Sequence, residues 1–580
     1  MDRYPVLLRT LLEKRGIKTT EEVEDFLNPS YERDLHDPFL LPDMEKAVER
    51  ILQAIEKKEK IVIYSDYDAD GIPGGVILHD FFEKIAHSNF TNYIPHRHLE
   101  GFGLNEEAIE EFKKEKVNLI ITVDCGIADV VEAEILKKHK IDLIITDHHE
   151  PSKILPEALA VIDAKREDSK YPNKDLCGAG VAFKLVQAII VKIKSQKNLS
   201  HLTQTNYSKD ISGILSLEMK DGWEKWLLDM VGVATLSDMV PLTGENRALA
   251  YYGLKVLRKS PRPGLLKLFS LLKIEQKNLT EDDIGFSISP RINAASRMGD
   301  PEDAFKLFIV QDEGEADICA RHLDHINNER KGVVAGMVKE VRKIMKKRYD
   351  DGLNHQVVVI GNPEWKPSLL GLVANSLVDD HNRPVFLWGR DGENVLKGSC
   401  RGDGCVSVLD LMSKVEVGIF AEFGGHNMSG GFSVVAEKVH LLEEKLQIAY
   451  ENMAKSDKDS PCPAEADVQI SLDEVNLENY RLVEKLAPFG IGNPKPLFLF
   501  EKIIVENVKM FGKEMNHLEL VFQNSHNKKV KAIGFFLKTD SFGMELKAGD
   551  KINLLANMEK STFRGFTELR LRIVDLEIVV

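Results

Sequence analysis

The chain has 580 residues, of which 77 are Lys or Arg and 92 are Asp or Glu, leaving a net charge of −15. That length suits three or four domains at roughly 150 residues each. With 43% hydrophobic and 29% charged residues, the chain has the balance of a soluble globular protein that buries large cores without disulfide or metal staples. The acidic excess argues against sequence-independent capture of a polyanion over the whole surface; a nucleic-acid substrate requires positive charge that is local or supplied by metal ions.

Apolar runs fall short of the ~18 residues that span a bilayer, so no membrane helix is expected. The first residues, MDRYPVLLRTLLEKRG, lack the apolar core and small-residue cleavage site of a secretory signal. Six cysteines are scattered, at 125, 177, 319, 400, 405 and 462, and none forms a CxxC pair. A disulfide framework or structural zinc site is not expected, and a reducing cytoplasm fits best.

Residues 1–60 read as helical, with an amphipathic stretch from Asp43 to Lys60. Three short runs rich in β-branched residues follow, Ile61–Ser65, Leu119–Val123 and Leu143–Thr146, separated by helical pattern. This alternation predicts parallel strands joined by helices. Residues 195–222 are polar and read as an excursion with little core. From Glu329 to Arg348 the pattern is helical and basic, with eight Lys or Arg against two Glu; it predicts a long helix between two lobes, the competing reading being a solvated helix face. A second α/β segment starts near Val357 and runs to about Tyr450. Residues 454–463 are a polar, Pro-containing break. From Asp467 onward short alternating runs predict a small β-barrel.

Each of the three early runs ends in acid: Asp66-Tyr67-Asp68-Ala69-Asp70-Gly71, then Asp124, then Asp147-His148-His149. In open parallel sheets, ligands collect beyond the carboxyl ends of the strands. Together with Asp238, these residues form a carboxylate cluster that is costly unless cations neutralise it. Oxygen ligands suit Mg²⁺ or Mn²⁺, and an imidazole favours Mn²⁺. Two ions would need a bridging carboxylate, for which Asp124 is placed at the end of the middle strand, and such a pair activates water against a phosphodiester. A calcium loop competes as a reading of DxDxDG alone, but position 12 is Ile77 rather than Glu.

The set resembles the DHH phosphoesterase superfamily, and most closely its RecJ single-strand-specific exonucleases. The resemblance rests on SDYDADG (65–71), ITVDCGI (121–127), ITDHHEP (145–151), CGAGVAFKL (177–185), ATLSDMVPLTGENR (234–247), SPRINAASRM (289–298) and HLDHINNERK (322–331). It continues in GSCRG (398–402), in FGGHNMSGGF with Gly424-Gly425-His426, and in LAPFGIGNPKPLF (486–498). It implies an α/β fold: a lead-in at 1–45, a DHH domain with a parallel sheet at 46–315, a connecting helix at 316–350, a second α/β DHH-associated domain at 351–455, and an OB-type barrel at 464–580.

By resemblance, Asp66, Asp68, Asp70, Asp124, His148 and Asp238 would bind two Mn²⁺ or Mg²⁺ ions. Asp147 and His149 would orient ligands or meet phosphate, and Asn293 and Arg297 would contact the phosphate being cleaved. Arg97, Ser399 and Arg401 would hold a terminal 5′ phosphate, and His426 would face the site from the second lobe. On the barrel, Phe498, Phe500, Phe511, Phe563 and Phe566 would stack on bases and Lys502, Lys509, Lys513, Lys529, Lys531 and Arg564 would meet phosphates, unless most of the phenylalanines fill the barrel core. The implied activity is 5′-to-3′ hydrolysis of single-stranded DNA to mononucleotides in repair and recombination, by a cytoplasmic monomer working with a single-strand binding protein or helicase. A small-substrate DHH phosphodiesterase and a non-catalytic scaffold are the alternatives.

The sequence departs from the family pattern at Ser65, at Ile72-Pro73-Gly74, at Trp365-Lys366-Pro367-Ser368 and at Ser296. Pro73 lacks an N–H and fixes φ, so an altered helix start after Asp70 is expected.

Overall fold

The structure, a computed structural model, describes residues 3–203, 220–391, 395–454, 465–512, 515–542, 544–563 and 566–579. Most of the polar stretch 195–222 and of the break 454–463 lies outside the described residues, as do Lys513, Arg564 and the side chains of Phe563 and Phe566.

Five strands form the first sheet: β1 Ile61–Ser65, β2 Phe90–Tyr93, β3 Leu119–Val123, β4 Asp142–Thr146 and β5 Ala160–Ile162. All pair in parallel, in the order β2-β1-β3-β4-β5. The alternation of side chains splits each central strand between two cores. Ile61, Ile63, Leu119 and Ile121 pack with the helices Met44–Lys57, Gly71–Lys84 and Gly178–Thr203. Val62, Tyr64 and Ile120 pack with Glu106–Lys114 and Val130–His139 on the opposite face. A parallel sheet covered on both faces accounts for the continuous apolar runs of β1 and β3. The two edge strands were not anticipated: β2 is half-exposed and β5 is only three residues long.

Pro73 does not disturb the start of the helix Gly71–Lys84. It sits in the first turn, where the backbone N–H has no intrahelical partner, and Gly74 still donates to Asp70 O at 3.0 Å.

The long helix runs from Glu313 to Asp350, 38 residues or about 57 Å. Its start is capped by Asp312, whose Oδ1 accepts from Gly314 and Glu315 N–H at 2.8 and 2.9 Å. Ala320 and Leu323 are buried in the first core, whereas Met337, Val338 and Val341 belong to the second lobe. That lobe is a sheet of β6 Val358–Gly361, β7 Val385–Asp391, β8 Val395–Arg401, β9 Phe420–His426 and β10 Ser429–Val434, ordered β6-β7-β8-β10-β9. The helix Pro367–His381 covers one face and Leu442–Ala454 the other.

The third sheet contains β11 Val468–Gln469, β12 Phe498–Ile504, β13 Asn507–Phe511, β14 His517–Gln523, β15 Lys529–Phe535, β16 Lys551–Phe563 and β17 Phe566–Ile578. Their order is β11-β12-β16-β17-β15-β14-β13. Phe498 and Phe500 are wholly inside its core and are not available for base stacking. Phe511 is half-exposed beside His517, and Phe536, which sequence reasoning passed over, projects at 79% exposure. The N-terminal helices Val6–Lys14 and Thr20–Leu27 place Leu8, Leu11, Leu12 and Val23 in this same core, so the first residues of the chain pack with the last domain. Arg15 donates to Asn493 Oδ1 at 2.8 Å within that unit, and Arg247 donates to Ala487 O at 3.0 Å and Phe26 O at 3.1 Å, which ties the unit to the first lobe.

Candidate metal centre

The strand order reverses direction between β1 and β3, and the crevice at such a switch point is where open α/β sheets bind ligands. The ladder continues one residue past the strands: Asp66 N–H donates to Val123 O, Asp124 N–H to Thr146 O and Asp147 N–H to Ile162 O, at 3.0, 2.9 and 3.1 Å. Three acids therefore stand side by side at the carboxyl edge.

Around them the chain supplies the rest. Asp68 Oδ1 accepts from Asp70 and Gly71 N–H at 2.7 and 3.1 Å, curling the loop after β1. Asp70 accepts from Gly178 and Ala179 N–H at 2.6 and 2.7 Å, at the N-terminus of the helix Gly178–Thr203. Asp238 follows the last turn of the helix Leu228–Ser237. His148 Nε2 lies 3.1 Å from Asp124 Oδ1, 3.6 Å from Asp70 Oδ2 and 3.8 Å from Asp238 Oδ2. Ligand atoms lie within 4.8 Å of one another in Asp66–Asp68–Asp124, in Asp70–His148–Asp238 and in Asp124–His148–His149. Asp124 belongs to two of these sets and touches His148 of the third, the position a carboxylate shared by two ions requires. Its φ of 64° is a left-handed conformation costly for a non-glycine residue, and such strain gathers at functional sites.

The electrostatics call for cations. Burial, then neighbouring carboxylates, raises Asp66 and Asp124 well above the usual range, Asp70 to about 7 and Asp238 to about 8. Asp66 Oδ1 is buried with no hydrogen-bond partner. Burial, helped by the charge of His149, lowers His148 to about 4, leaving it a neutral imidazole. Carboxylates with one imidazole fit Mn²⁺ or Mg²⁺.

Asp147 and His149 form a pair beside this set. Burial works against the charge of each, yet their 2.8 Å hydrogen bond holds Asp147 below its ordinary value and raises His149 to about 9. Asp147 also accepts from Ile127, His148 and His149 N–H, fixing the turn that aims His148.

Asn293 and Arg297 project from the helix Ser289–Met298. Asn293 Oδ1 accepts from Ala69 N–H at 2.9 Å, which leaves its NH₂ as a donor. Arg297 donates to Ser368 O, and Ser368 Oγ donates back to Arg297 O at 3.1 Å. Ser368, one of the departures from the family pattern, thus latches the second lobe to the first. Arg97 lies 4.8 Å over the Tyr67 ring and, with Tyr67, Phe102 and Ser368, lines a cleft of about 720 Å³ between the lobes. Arg401 donates to Ser399 Oγ at 3.0 Å, with Gly371 packed so closely that a Cβ there would lie 2.7 Å from the guanidinium. Burial, then the charges of Arg97 and Arg330, lowers Arg297 to about 9. Positive charge is thus concentrated locally on a chain that is acidic overall. His426 stands exposed at the end of β9, and its ring makes no hydrogen bond or ion pair among the described residues.

One group escaped sequence reasoning, the pair of N–H donors at Gly178 and Ala179. A Cβ on Gly178 would lie 2.5 Å from that of Asp124, and the signal was the glycine-rich CGAG before a helix.

Residues 60–215 match the model of the DHH family, N-terminal domain, and residues 466–575 that of the RecJ OB domain. The single-stranded-DNA-specific exonuclease RecJ of Bacillus subtilis is 33% identical over 99% of this chain and 68% of that protein. The Escherichia coli protein of the same name is 30% identical over 85% of this chain and 83% of its own. The chain belongs to the RecJ family. Its fold superposes on the crystal structure of RecJ from Thermus thermophilus in complex with Mn²⁺ with a TM-score of 0.76, at 25% identity, covering 98% of this chain and 76% of that one. This RecJ-family chain keeps every carboxylate and imidazole of the expected ligand set, and its departures fall at other positions: at the end of β1 (Ser65), at two helix starts (72–74 and 366–368) and within the helix Ser289–Met298 (Ser296).

Proposed function

We propose that this protein is a metal-dependent exonuclease that hydrolyses single-stranded DNA from the 5′ end, releasing 5′-mononucleotides in DNA repair and recombination. The observation that carries the reading is the buried carboxylate–imidazole cluster at the β1/β3 crevice, with Asp124 shared between neighbouring ligand sets. Asp66, Asp68, Asp70, Asp124, His148 and Asp238 would hold two Mn²⁺ or Mg²⁺ ions, which when bound supply an activated water and neutralise charge on the phosphate. Asp147 fixes the turn that presents His148. Arg297 and the Asn293 NH₂ grip the phosphate being cleaved, and the guanidinium stabilises charge on the departing oxygen. Arg97, Ser399 and Arg401 receive the terminal phosphate, for which paired guanidinium donors are suited. His426 meets the substrate from the second lobe.

The parts act as a lead-in at 1–45, a catalytic domain at 46–315, a connecting helix at 316–350, a second lobe at 351–455 and a strand-binding barrel from 464. A small-substrate phosphodiesterase is not favoured, because the likeness extends through the terminal barrel, and a decayed scaffold is not favoured, because no ligand is lost. Among the described residues no helix is long and apolar enough to cross a membrane. A cytoplasmic monomer recruited by a single-strand binding protein or helicase completes the proposal.

The test is an assay with Mn²⁺ on single-stranded DNA, duplex DNA and RNA, labelled at either end. The expected result is release of 5′-terminal mononucleotide from single-stranded DNA alone, stopped by EDTA and by Asp124→Ala. Unchanged activity in Asp124→Ala would overturn the shared-ligand assignment.

A further inference from the structure

Arg297 is held by both lobes. The helix that carries it, Ser289–Met298, belongs to the first lobe, and Asn293, one turn earlier on the same face, accepts from Ala69 N–H in the metal-binding loop at 2.9 Å. At the end of that helix the grip passes to the second lobe, against whose core Met298 packs. Ser368, buried in the first turn of the helix Pro367–His381, meets Arg297 twice: Ser368 Oγ donates to Arg297 O at 3.1 Å, and Arg297 Nη1 donates to Ser368 O. His98 Nε2, from the first lobe, also donates to Arg297 O, at 3.0 Å. That carbonyl is among the last of its helix and has no partner within it, so a hydroxyl and an imidazole complete it from the two lobes.

The contact with Ser368 sorts the donors of the guanidinium. Nη1 is taken. Nε and Nη2 share an edge of the planar group that Nη1 does not, and such an edge grips two oxygens at once. Nε is buried without a partner, and Nη2 makes no hydrogen bond or ion pair among the described residues. A buried donor without an acceptor is costly. What this edge lacks is an anion with two oxygens side by side, which a phosphodiester supplies.

We propose that Ser368 is a positioning residue: reaching across from the second lobe, it orients Arg297 so that the Nε–Nη2 edge faces the phosphate being cleaved, and it makes the aim of that guanidinium depend on contact between the lobes. This rests on the exonuclease reading above, in which Arg297 meets that phosphate, and adds to it a residue that acts through Arg297 rather than on the DNA. Ser368 is one of the departures of this chain from the family pattern. A residue without a side-chain hydroxyl would keep the carbonyl bond to Nη1 and lose the bond that anchors it.

The experiment uses the full-length Mn²⁺-loaded protein and 5′-phosphorylated oligothymidine, with Ser368→Ala, Ser368→Thr, Arg297→Ala and the double variant Arg297→Ala with Ser368→Ala. Ser368→Ala removes one hydrogen bond and should lower kcat about 3- to 10-fold, with the KM for DNA and the Mn²⁺ affinity close to wild type. Ser368→Thr keeps the hydroxyl and should recover most of that loss. In the Arg297→Ala background there is no guanidinium to aim, so adding Ser368→Ala should lower kcat by less than about threefold further. A fall of less than about threefold in Ser368→Ala overturns the proposal, as does a loss carried by KM alone or one that Ser368→Thr does not recover. Losses that multiply in the double variant also overturn it, because they show Ser368 acting apart from Arg297. Full activity in Arg297→Ala, or an inactive wild-type protein, would instead remove the reading on which the proposal stands, and the proposal with it.

Discussion

Filling the metal centre should displace protons, and the structure sets how many. In the metal-free site burial and neighbouring carboxylates raise Asp70 to about 7 and Asp238 to about 8, and push Asp66 and Asp124 up as well. His148, lowered to about 4 by burial, is already neutral at pH 6 and releases nothing. Binding of Mn²⁺ at pH 6 therefore expels at least about two protons, and at pH 9 Asp70 and Asp238 contribute about none. Through Asp70 and Asp238 alone, affinity should rise by about a hundredfold per pH unit near pH 6, a contribution that flattens above about pH 8. The same carboxyls link stability to pH: their folded values lie above the unfolded ones, so the stability they contribute is complete below about pH 4 and is lost as pH rises toward about 8. The gain in Tm on adding Mn²⁺ should accordingly be larger at pH 8 than at pH 5.5. Calorimetric titration in two buffers of different ionisation enthalpy counts the protons directly. Release of less than about half a proton at pH 6, with an affinity that does not change with pH, would refute this reasoning.

Three substitutions probe the supporting structure. Asp147→Asn weakens the acceptor of His149 and of three backbone N–H groups and should cost about 10- to 100-fold in Mn²⁺ affinity, measured by titration. Lys184 is wholly buried, with Nζ 2.6 Å from Glu245 Oε1. Lys184→Met removes the counter-charge of a buried carboxylate that keeps only the Tyr171 O–H and His36 N–H donors, and should cost about 3–5 kcal/mol in urea denaturation. Gly232 lies where the helices Leu228–Ser237 and Gly244–Leu257 cross, and a Cβ there would stand 2.6 Å from Gly253 Cα. Gly232→Ala should cost about 1–3 kcal/mol and, by shifting the helix that ends at Asp238, should also raise the Kd for Mn²⁺.

Where residues pack symmetrically with their neighbours in sequence, the chain was legible. The central strands β1, β3 and β4 are short β-branched runs buried on both faces, and their periodicity and acid-bearing ends were visible without coordinates. Residue pattern alone showed the long helix only over its basic half, because its first half is mixed in character and buries residues in the catalytic core; the family resemblance supplied the rest, at 316–350 against the observed Glu313–Asp350. Pro73 looked disruptive because a motif comparison does not say which turn a residue occupies; in a first turn there is no hydrogen bond to lose. For Phe498 and Phe500 the sequence left base stacking and core filling both open, because alternation in a strand does not say which side faces the core; both fill the core.

The amino-acid sequence alone determined which carboxylates and imidazole are available, and that those of the three early runs follow strands ending at one edge. Only the tertiary structure decided that the expected bridging residue Asp124 lies within reach of His148 and of two groups of neighbouring ligand atoms, that a distant helix N-terminus holds Asp70, and that the first helices complete the core of the last domain. The physical reason is that periodicity and capping act over a few residues, whereas hydrophobic burial is non-directional and joins segments hundreds of residues apart. Which polar groups such packing leaves without partners can be read only after the chain has folded.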